Sequence, residues 1–401
     1  MKWLSRSLRR QLVRAAALLL LALTVYAPAA GALRALLGGD SLRAFRAARA
    51  GERGAAEPTA ALATLTAGPP PPARPTLVWV LLGEPFFQDY FLESITQARV
   101  FNPASDFILV GNLELLSPWA APLAALRVTL VSERSVETDF SRNFTNTFLN
   151  LWWVQLAGRV GKLEPSMKHR SNMNFSQLTL TRLVALHELM AARGLERVVH
   201  VENDQMLYGP IDALADATDG CGARFAMSRV GARFAPAVVY ARDAAALGDL
   251  VAFLYDSISR GGDHAVAVSQ TTWVTDMALT AAYFRATKAA GRTDAVALPI
   301  TPDGACVNAR SGFFYDGAGL GVWCCGSFQY PRKHFEMRLE ESEARYWELP
   351  FNWTLVDGLR VPLWNGSRAF NLHVHSKHLH LWRSTDKELD AEAVAKVPEH
   401  H

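Results

Sequence analysis

The apolar residues of this chain fall into short runs, separated by stretches in which apolar positions recur every three or four residues. The runs predict β-strands at residues 77–82, 107–111, 126–131 and 198–201, and the periodic stretches predict α-helices at residues 91–101 and 178–195. Short runs rich in β-branched residues are typical of strands buried on both faces of a parallel sheet. Their alternation with helices therefore predicts an α/β fold with a mostly parallel, doubly wound, Rossmann-like sheet in one domain, residues 77–384.

The N-terminal segment has the pattern of a membrane anchor. Residues 1–14 carry five basic side chains and no acidic one, and residues 15–33 are an apolar run. As a helix this run is about 28 Å long, enough for a hydrocarbon core of ~30 Å. The positive charges predict a cytosolic N-terminus and a luminal remainder. The alternative is a cleaved signal peptide, since small residues at 27–32 offer a cleavage site. Both interpretations take the chain into the secretory pathway.

Residues 34–76 are rich in Ala, Gly, Arg and Pro and include four consecutive prolines at 69–72. Such a segment has little apolar surface to bury, and it predicts a stem between the membrane and the domain. Residues 385–401 are charged and predict a frayed C-terminal tail. The net charge of +3 on 401 residues is too small to predict a nucleic-acid partner.

Potential modification sites support a luminal domain. Glycosylation acceptors occur at Asn143, Asn174, Asn352 and Asn365. The four cysteines are Cys221, Cys306, Cys324 and Cys325, which allow three disulfide connectivities. We expect the two adjacent cysteines to pair with different partners rather than with each other.

Two carboxylates follow the strand at 198–201. Ligands of parallel sheets bind at the carboxyl ends of the strands, where Glu202 and Asp204 lie. Their spacing points both side chains to one side while the chain stays extended. Two convergent carboxylates suit a hard divalent cation that also holds a diphosphate. The alternative is that they cap the following turn.

A second polar cluster lies near the C-terminus, where four histidines fall between His373 and His380. On a strand, His373 and His375 share a face and could present imidazoles to a metal ion. Lys377 falls on the same side if the strand continues, where its ammonium could neutralise a phosphate. The cluster also fits a zinc site or a polar sheet edge.

Three further features are candidates for the same site. Arg182 lies at the start of the helix before the acidic strand, from which it could reach a diphosphate; the alternative is a surface arginine. Asp276 is a lone carboxylate in an apolar helical stretch, which predicts either a cap or a site residue. The glycine-rich segment Gly312–Gly326 contains Asp316 and lacks the context of a dinucleotide fingerprint. We expect it to form a loop at the pocket rim.

The order of these motifs resembles that of GT-A fold glycosyltransferases of the glycogenin-like and galactosyltransferase-like type. The resemblance implies Asp204 as the main ligand of Mn²⁺ or Mg²⁺, with Glu202 near the ribose or the metal and His373 or His375 as a further ligand. Lys377 and Arg182 would hold the diphosphate of a nucleoside-diphosphate sugar, and Asp276 would act on the acceptor side as general base or orienting group. Family members have Asp where this chain has Glu202.

The resemblance thus implies a hexosyltransferase that uses a glycan, protein or lipid hydroxyl as acceptor. The anchor and stem are similar to those of Golgi enzymes, so a single-pass type II protein of the Golgi or ER membrane is expected. Two alternatives stay open. One is a zinc hydrolase built on His373 and His375, with Glu202 or Asp276 activating water. The other is a non-catalytic luminal protein that binds nucleotide sugars.

Overall fold

The structure, a computed structural model, describes residues 73–83, 88–160, 167–270, 274–300, 305–321 and 351–385, and leaves out the side chains of 152–175. By internal contacts the chain divides into Met1–Pro70 and Pro71–His401, and the described residues all belong to the second unit. The predicted anchor, most of the stem, Cys324, Cys325 and the C-terminal tail beyond residue 385 lie outside the described residues. None of the described helices is long and apolar enough to cross a membrane.

Twelve strands are described. They are β1 (Thr76–Val80), β2 (Asp106–Gly111), β3 (Val128–Ser132), β4 (Val198–Val201), β5 (Gln205–Leu207), β6 (Phe225–Val230), β7 (Arg233–Ala241), β8 (Ala295–Leu298), β9 (Phe313–Tyr315), β10 (Phe351–Val356), β11 (Leu359–Trp364) and β12 (Ser367–His373). They form a larger sheet of seven strands and a smaller sheet of five.

The α-helices of the described ranges flank these sheets. They are α1 (Asp89–Phe101), α2 (Leu113–Leu116), α3 (Ala120–Ala125), α4 (Glu133–Val136), α5 (Asp139–Val160), α6 (Met167–Arg193), α7 (Ile211–Gly220), α8 (Ala244–Ser259), α9 (Gly262–Ser269), α10 (Asp276–Ala289) and α11 (Cys306–Ser311). Short 3-10 turns occur at Ser117–Trp119 and Leu379–Trp382.

The larger sheet has the strand order β3-β2-β1-β4-β7-β6-β8. Its pairs are parallel except for β7, which runs antiparallel to both β4 and β6. The predicted mostly parallel α/β sheet is therefore confirmed, with one reversed strand that the sequence did not predict. The two-residue connection between β6 and β7 explains the reversal, because so short a link can join only antiparallel strands.

Alternate residues of each strand of the larger sheet face opposite layers of helices. Val78 and Val80 belong to the core cluster that includes α5, α6, α8 and α10, whereas Leu77 and Trp79 belong to the cluster that includes α1 and α7. A sheet covered on both faces has apolar residues at every position, which is why its strands appear in the sequence as continuous apolar runs.

The smaller sheet has the order β10-β11-β12-β5, and β9 also pairs with β12. These pairs are antiparallel except for β9 with β12. The sequence did not predict this sheet, because β5 and β9 have three residues each and lie far from β12 in the chain. Its position next to the end of β4 makes it part of the site.

One disulfide joins two helices. Cys221 at the C-terminal end of α7 is bonded to Cys306 at the start of α11, with 6.0 Å between the Cα atoms. The packing of α11 on α7 brings these two cysteines together, and the expected pairing of Cys324 and Cys325 with different partners lies outside the described residues.

Candidate active site

The acidic pair lies in the turn that connects the two sheets. β4 ends at Val201, and Glu202 still donates its backbone N–H to Ala237 of β7. The chain then turns through Asp204 and enters β5 at Gln205. The extended conformation thus ends before the acidic pair, but the turn brings both carboxylates to the same neighbour.

That neighbour is His373, the last residue of β12. Its Nε2 lies 2.9 Å from Asp204 Oδ1 and 3.6 Å from Glu202 Oε2. The backbone N–H of Val374 donates to the carbonyl of Asp204, which fixes the end of β12 against the acidic turn. The His375 ring stacks on that of His373 with 3.9 Å between centroids, although β12 ends at His373 and His375 lies in the following turn.

Ligand atoms of Asp204, His373 and His375 all lie within 4.8 Å of one another. In the described part of the chain, the Nε2 atom of His375 is buried and has no hydrogen-bond partner. A carboxylate and two imidazoles are donors that Mn²⁺ and Zn²⁺ both accept. The three residues therefore fit a divalent metal ion.

Lys377 reaches the same carboxylate by a route that the sequence did not predict. β12 ends at His373, and Lys377 lies in the following turn with a φ of 64°, in the left-handed region. Its Nζ nevertheless forms an ion pair with Asp204 Oδ2. The turn, rather than strand alternation, brings this ammonium to the site.

The cluster holds opposite charges in a buried position. Burial favours the neutral form of Asp204, but the positive charges of His373 and Lys377 outweigh it and hold the pKa of this carboxyl well below its usual range. Burial also disfavours a charged His373, yet the Asp204 carboxylate raises the pKa of His373 to about 9. For His375, burial and the charge of His373 together lower the pKa well below its usual range.

Arg182 lies in the middle of α6, not at the start of the helix, because α6 begins at Met167. Its guanidinium donates to Glu202 Oε1 at 2.8 Å, and both side chains are 13% exposed. The surface-arginine alternative is therefore wrong. Arg182 holds Glu202 in place, and a contact with a diphosphate stays a prediction.

Asp276 is the first residue of α10 and Thr275 caps the helix, so Asp276 lies at the N-terminal end of the predicted helical stretch. The carboxylate is nevertheless buried. Burial and the nearby charge of Glu202 raise the pKa of Asp276 to about 6. Asp276 is thus both a residue of the helix N-terminus and an electrostatic neighbour of the acidic pair.

Sequence reasoning missed the second contact of the His373 ring. Its Nδ1 lies 3.0 Å from the carbonyl of Gly317, in the segment that we expected to form a rim loop. Asp316 beside it is fully buried and contacts the backbone of His373. An acidic residue directly after the aromatic run Phe313–Tyr315 was the signal available in the sequence.

The glycosylation acceptors differ in their surroundings. Asn143 lies in α5, and its amide donates to the Tyr255 hydroxyl at 2.7 Å. Asn352 on β10 and Asn365 in the turn between β11 and β12 are exposed. The side chain of Asn174 lies outside the described residues.

No family model and no curated protein matches this chain. Among solved structures, the chain is similar to mouse xyloside xylosyltransferase 1 in its apo form at 11% identity, over 56% of this chain and 84% of that one, with a TM-score of 0.36. It is similar to the PaToxG glycosyltransferase at 8% identity, over 54% and 70%, with a TM-score of 0.34. It is also similar to the galactosyltransferase LgtC in complex with donor and acceptor sugar analogues, at 11% identity, over 56% and 73%, with a TM-score of 0.35. These likenesses are distant.

Proposed function

We propose that the protein is a metal-dependent glycosyltransferase that moves a sugar from a nucleoside-diphosphate sugar to a hydroxyl of a glycan, protein or lipid. The observation that carries the proposal is the buried cluster of Asp204, His373 and His375 at the carboxyl end of β4, with the ammonium of Lys377 beside it. A metal site with an adjacent cation at this edge of an α/β sheet suits a ligand with several negative charges.

The chemistry follows from the leaving group. A bound Mn²⁺ or Mg²⁺ would supply positive charge to the nucleoside diphosphate as the bond from the anomeric carbon breaks. Lys377 would add its charge on the same side, since it already lies against Asp204 and is about one-third exposed. Arg182 keeps Glu202 oriented toward His373, so the acidic turn holds its shape when a charged ligand enters.

Asp276 is the candidate for the acceptor side. A carboxyl with a pKa of about 6 is ionised at neutral pH and is more basic than an ordinary aspartate. We propose that it accepts the proton of the acceptor hydroxyl or orients that hydroxyl by a hydrogen bond. Its burial excludes bulk water from the carboxylate, which increases the strength of either interaction.

The zinc hydrolase is less well supported by this geometry. Glu202, one candidate to activate water in that scheme, already accepts a hydrogen bond from Arg182 on Oε1. In addition, activation of water by a metal and a base does not require an ammonium group such as that of Lys377 beside the metal ligands. The other alternative, a non-catalytic protein that binds nucleotide sugars, would bind the same ligands as the proposed enzyme but would show no turnover.

The test is a calorimetric titration of the full-length protein with UDP and with GDP, each with and without Mn²⁺. We expect one nucleotide to bind only with the metal, and Asp204→Asn to abolish that binding. Asp212→Asn is the matched control, because it removes an exposed carboxylate of α7 outside the site. Failure of both nucleotides to bind to folded, metal-loaded protein would contradict the proposal.

We also propose that the chain matures in the secretory pathway as a single-pass protein of the Golgi or ER membrane. The disulfide between Cys221 and Cys306 supports an oxidising compartment. Exposed Asn352 and Asn365 are suitable for glycans, whereas a glycan on Asn143 would displace Tyr255. On protein from secreting cells, Asn352→Gln and Asn365→Gln should each lower the mass by one glycan and Asn143→Gln should not. A chain without glycans would contradict the proposal.

A further inference from the structure

The segment after β9 encloses a buried carboxylate that the proposed chemistry does not use. Asp316 is fully buried, and its side chain accepts four backbone hydrogen bonds. Three come from its own turn, from Ala318, Leu320 and Gly321, at 2.8 to 3.1 Å. The fourth comes from the backbone N–H of His373, at 3.1 Å. One carboxylate thus closes residues 316–321 into a turn and ties that turn to the end of β12.

The turn fixes which nitrogen of His373 faces the acidic pair. A carbonyl oxygen only accepts hydrogen bonds, so the 3.0 Å contact between Nδ1 and the Gly317 carbonyl places a hydrogen on Nδ1. Nε2 is then the nitrogen that faces Asp204, at 2.9 Å. A histidine that ligates a metal through one nitrogen commonly donates its other N–H to a carbonyl or carboxylate, which fixes tautomer and ring orientation.

Two of the three glycines of the turn, Gly317 and Gly321, have no room for a side chain. A Cβ atom on Gly317 would lie 2.6 Å from Val230 Cγ2 and 2.8 Å from the Arg229 carbonyl oxygen. A Cβ atom on Gly321 would overlap the carbonyl oxygen of His373. Close approach of backbone to backbone is therefore what these positions require of glycine. The turn is packed between the end of β6 on one side and the end of β12 on the other.

Asn371 links this turn to the acidic side of the site. Its Oδ1 accepts from the backbone N–H of Asp316 at 3.1 Å, and its Nδ2 donates to the Asp316 carbonyl at 2.6 Å and to Gln205 Oε1 at 2.7 Å. Gln205 follows Asp204 directly and begins β5. The same buried polar cluster therefore orders both sides of the candidate metal site.

We propose that Asp316 is a positioning residue for the metal site: it closes the turn 316–321, and the Gly317 carbonyl then orients His373 with Nε2 toward Asp204. The inference rests on the proposed function for its importance, although its test can be read from metal binding alone. The side chain of Asp316 contacts the backbone of His373 and not its ring, so its effect is carried through the orientation of His373.

The test compares Asp316→Asn with Asp243→Asn in the full-length protein. Asparagine keeps the size of Asp316 but presents an amide donor to backbone donors, so the turn opens and the Gly317 carbonyl shifts. We expect Mn²⁺ affinity to fall 10- to 100-fold, the range known for such outer contacts of metal ligands. Asp243, at the start of α8, is the matched control because its carboxylate also accepts hydrogen bonds from a backbone N–H and from an arginine side chain. Its substitution should leave Mn²⁺ affinity unchanged.

A second measurement needs no substitution. In the metal-loaded wild-type protein, the long-range ¹H–¹⁵N spectrum of His373 should show hydrogen on Nδ1 and none on Nε2. A hydrogen-free Nδ1, or equal Mn²⁺ affinity of wild type and Asp316→Asn, would overturn the inference while the proposed function stands. If wild type binds Mn²⁺ but no nucleotide, the proposed function fails and the affinity ratio still decides the inference. If wild type binds no metal, both are wrong.

Discussion

The larger and smaller sheets of this protein are built in opposite ways. The four parallel strands β3, β2, β1 and β4 follow continuous apolar runs, and helices cover both of their faces. The smaller sheet is antiparallel in most pairs and collects β5, β9 and the strands β10 to β12 from separate parts of the chain. The larger sheet is built on strands that a short-range pattern specifies, whereas the smaller sheet adds β5 and β9, from distant parts of the chain, to the consecutive strands β10 to β12.

The comparison explains where the chemistry lies. Glu202 and Asp204 come from the end of a strand of the larger sheet, and His373 comes from the end of a strand of the smaller one. Asp204 lies between β4 and β5, so it belongs to the junction of the two sheets. Neither sheet contains all the residues of the candidate metal site, so the site forms only when the two sheets are correctly associated.

The largest expected effect comes from breaking the contribution of each sheet separately. Asp204→Asn and His373→Gln should each lower turnover by a hundred- to a thousandfold, about 3–4 kcal/mol, by analogy with the loss of one transition-state donor. If the two residues hold one metal ion, the double variant should be no worse than either single variant. Turnover with the nucleotide sugar whose nucleotide binds is the measurement. Additive losses would indicate two independent roles.

The covalent link between the two regions is the next test. Cys221 belongs to α7 on the larger sheet, and Cys306 belongs to α11, which leads into β9 of the smaller sheet. The pair is 85 residues apart, so Cys221→Ser with Cys306→Ser should lower the free energy of unfolding by about 2–4 kcal/mol. Urea denaturation measures the loss. A reducing agent should lower wild type to the same stability and leave the double variant unchanged; an effect on both would contradict this account.

A smaller effect concerns the helical layer of the larger sheet. Burial and Glu202 raise the pKa of Asp276 to about 6, so the wild-type fold loses stability as pH rises through that value. A shift of about two units corresponds to about 3 kcal/mol at most. Asp276→Asn should therefore match wild type near pH 4 and exceed it by about 2–3 kcal/mol at pH 8, while turnover falls. Metal-free denaturation curves at both pH values test this, and equal stability at pH 8 would contradict it.

The smallest expected effect tests whether His373, at the end of β12 in the smaller sheet, is a metal ligand. The Asp204 carboxylate raises the pKa of His373 to about 9, whereas Asp204 is already ionised and His375 is already neutral at pH 7. A metal ion that takes His373 Nε2 must release one proton, so its affinity should rise about tenfold, or 1.4 kcal/mol, per pH unit from pH 7 toward 9. Calorimetry in buffers of different ionisation enthalpy counts the proton. A count of zero would mean that His373 is not a ligand.

The sequence predicted the scaffold better than the site. The strands at 107–111 and 198–201 were found within one residue, because buried strands of a parallel sheet need apolar residues throughout. The acidic pair at the end of β4 was equally visible. Arg182 was expected at the start of its helix but lies in the middle, because α6 extends back to Met167, whereas Asp276 begins α10 directly after the Thr275 cap.

The partners of the acidic pair could be guessed only in part. The rings of His373 and His375 stack, but His375 and Lys377 both follow the end of β12, and Lys377 has a left-handed conformation that no periodic pattern encodes. The hydrogen bond between His373 and Gly317 joins residues 56 positions apart, and it depends on β9 pairing with β12. Such contacts depend on which strands pair, and the local sequence pattern does not show this pairing.

The separation of Asp204 and Lys377 by 173 residues has a consequence for synthesis on the ribosome. Chains emerge N-terminus first, so the larger sheet can form before β12 has been translated. During that interval β5 has no partner strand, and the acidic turn has neither histidine nor lysine to balance its charge. A nascent chain is therefore inert and exposes an open strand edge to molecular chaperones. Binding of metal by a growing chain would mark the moment when its C-terminal strands arrive.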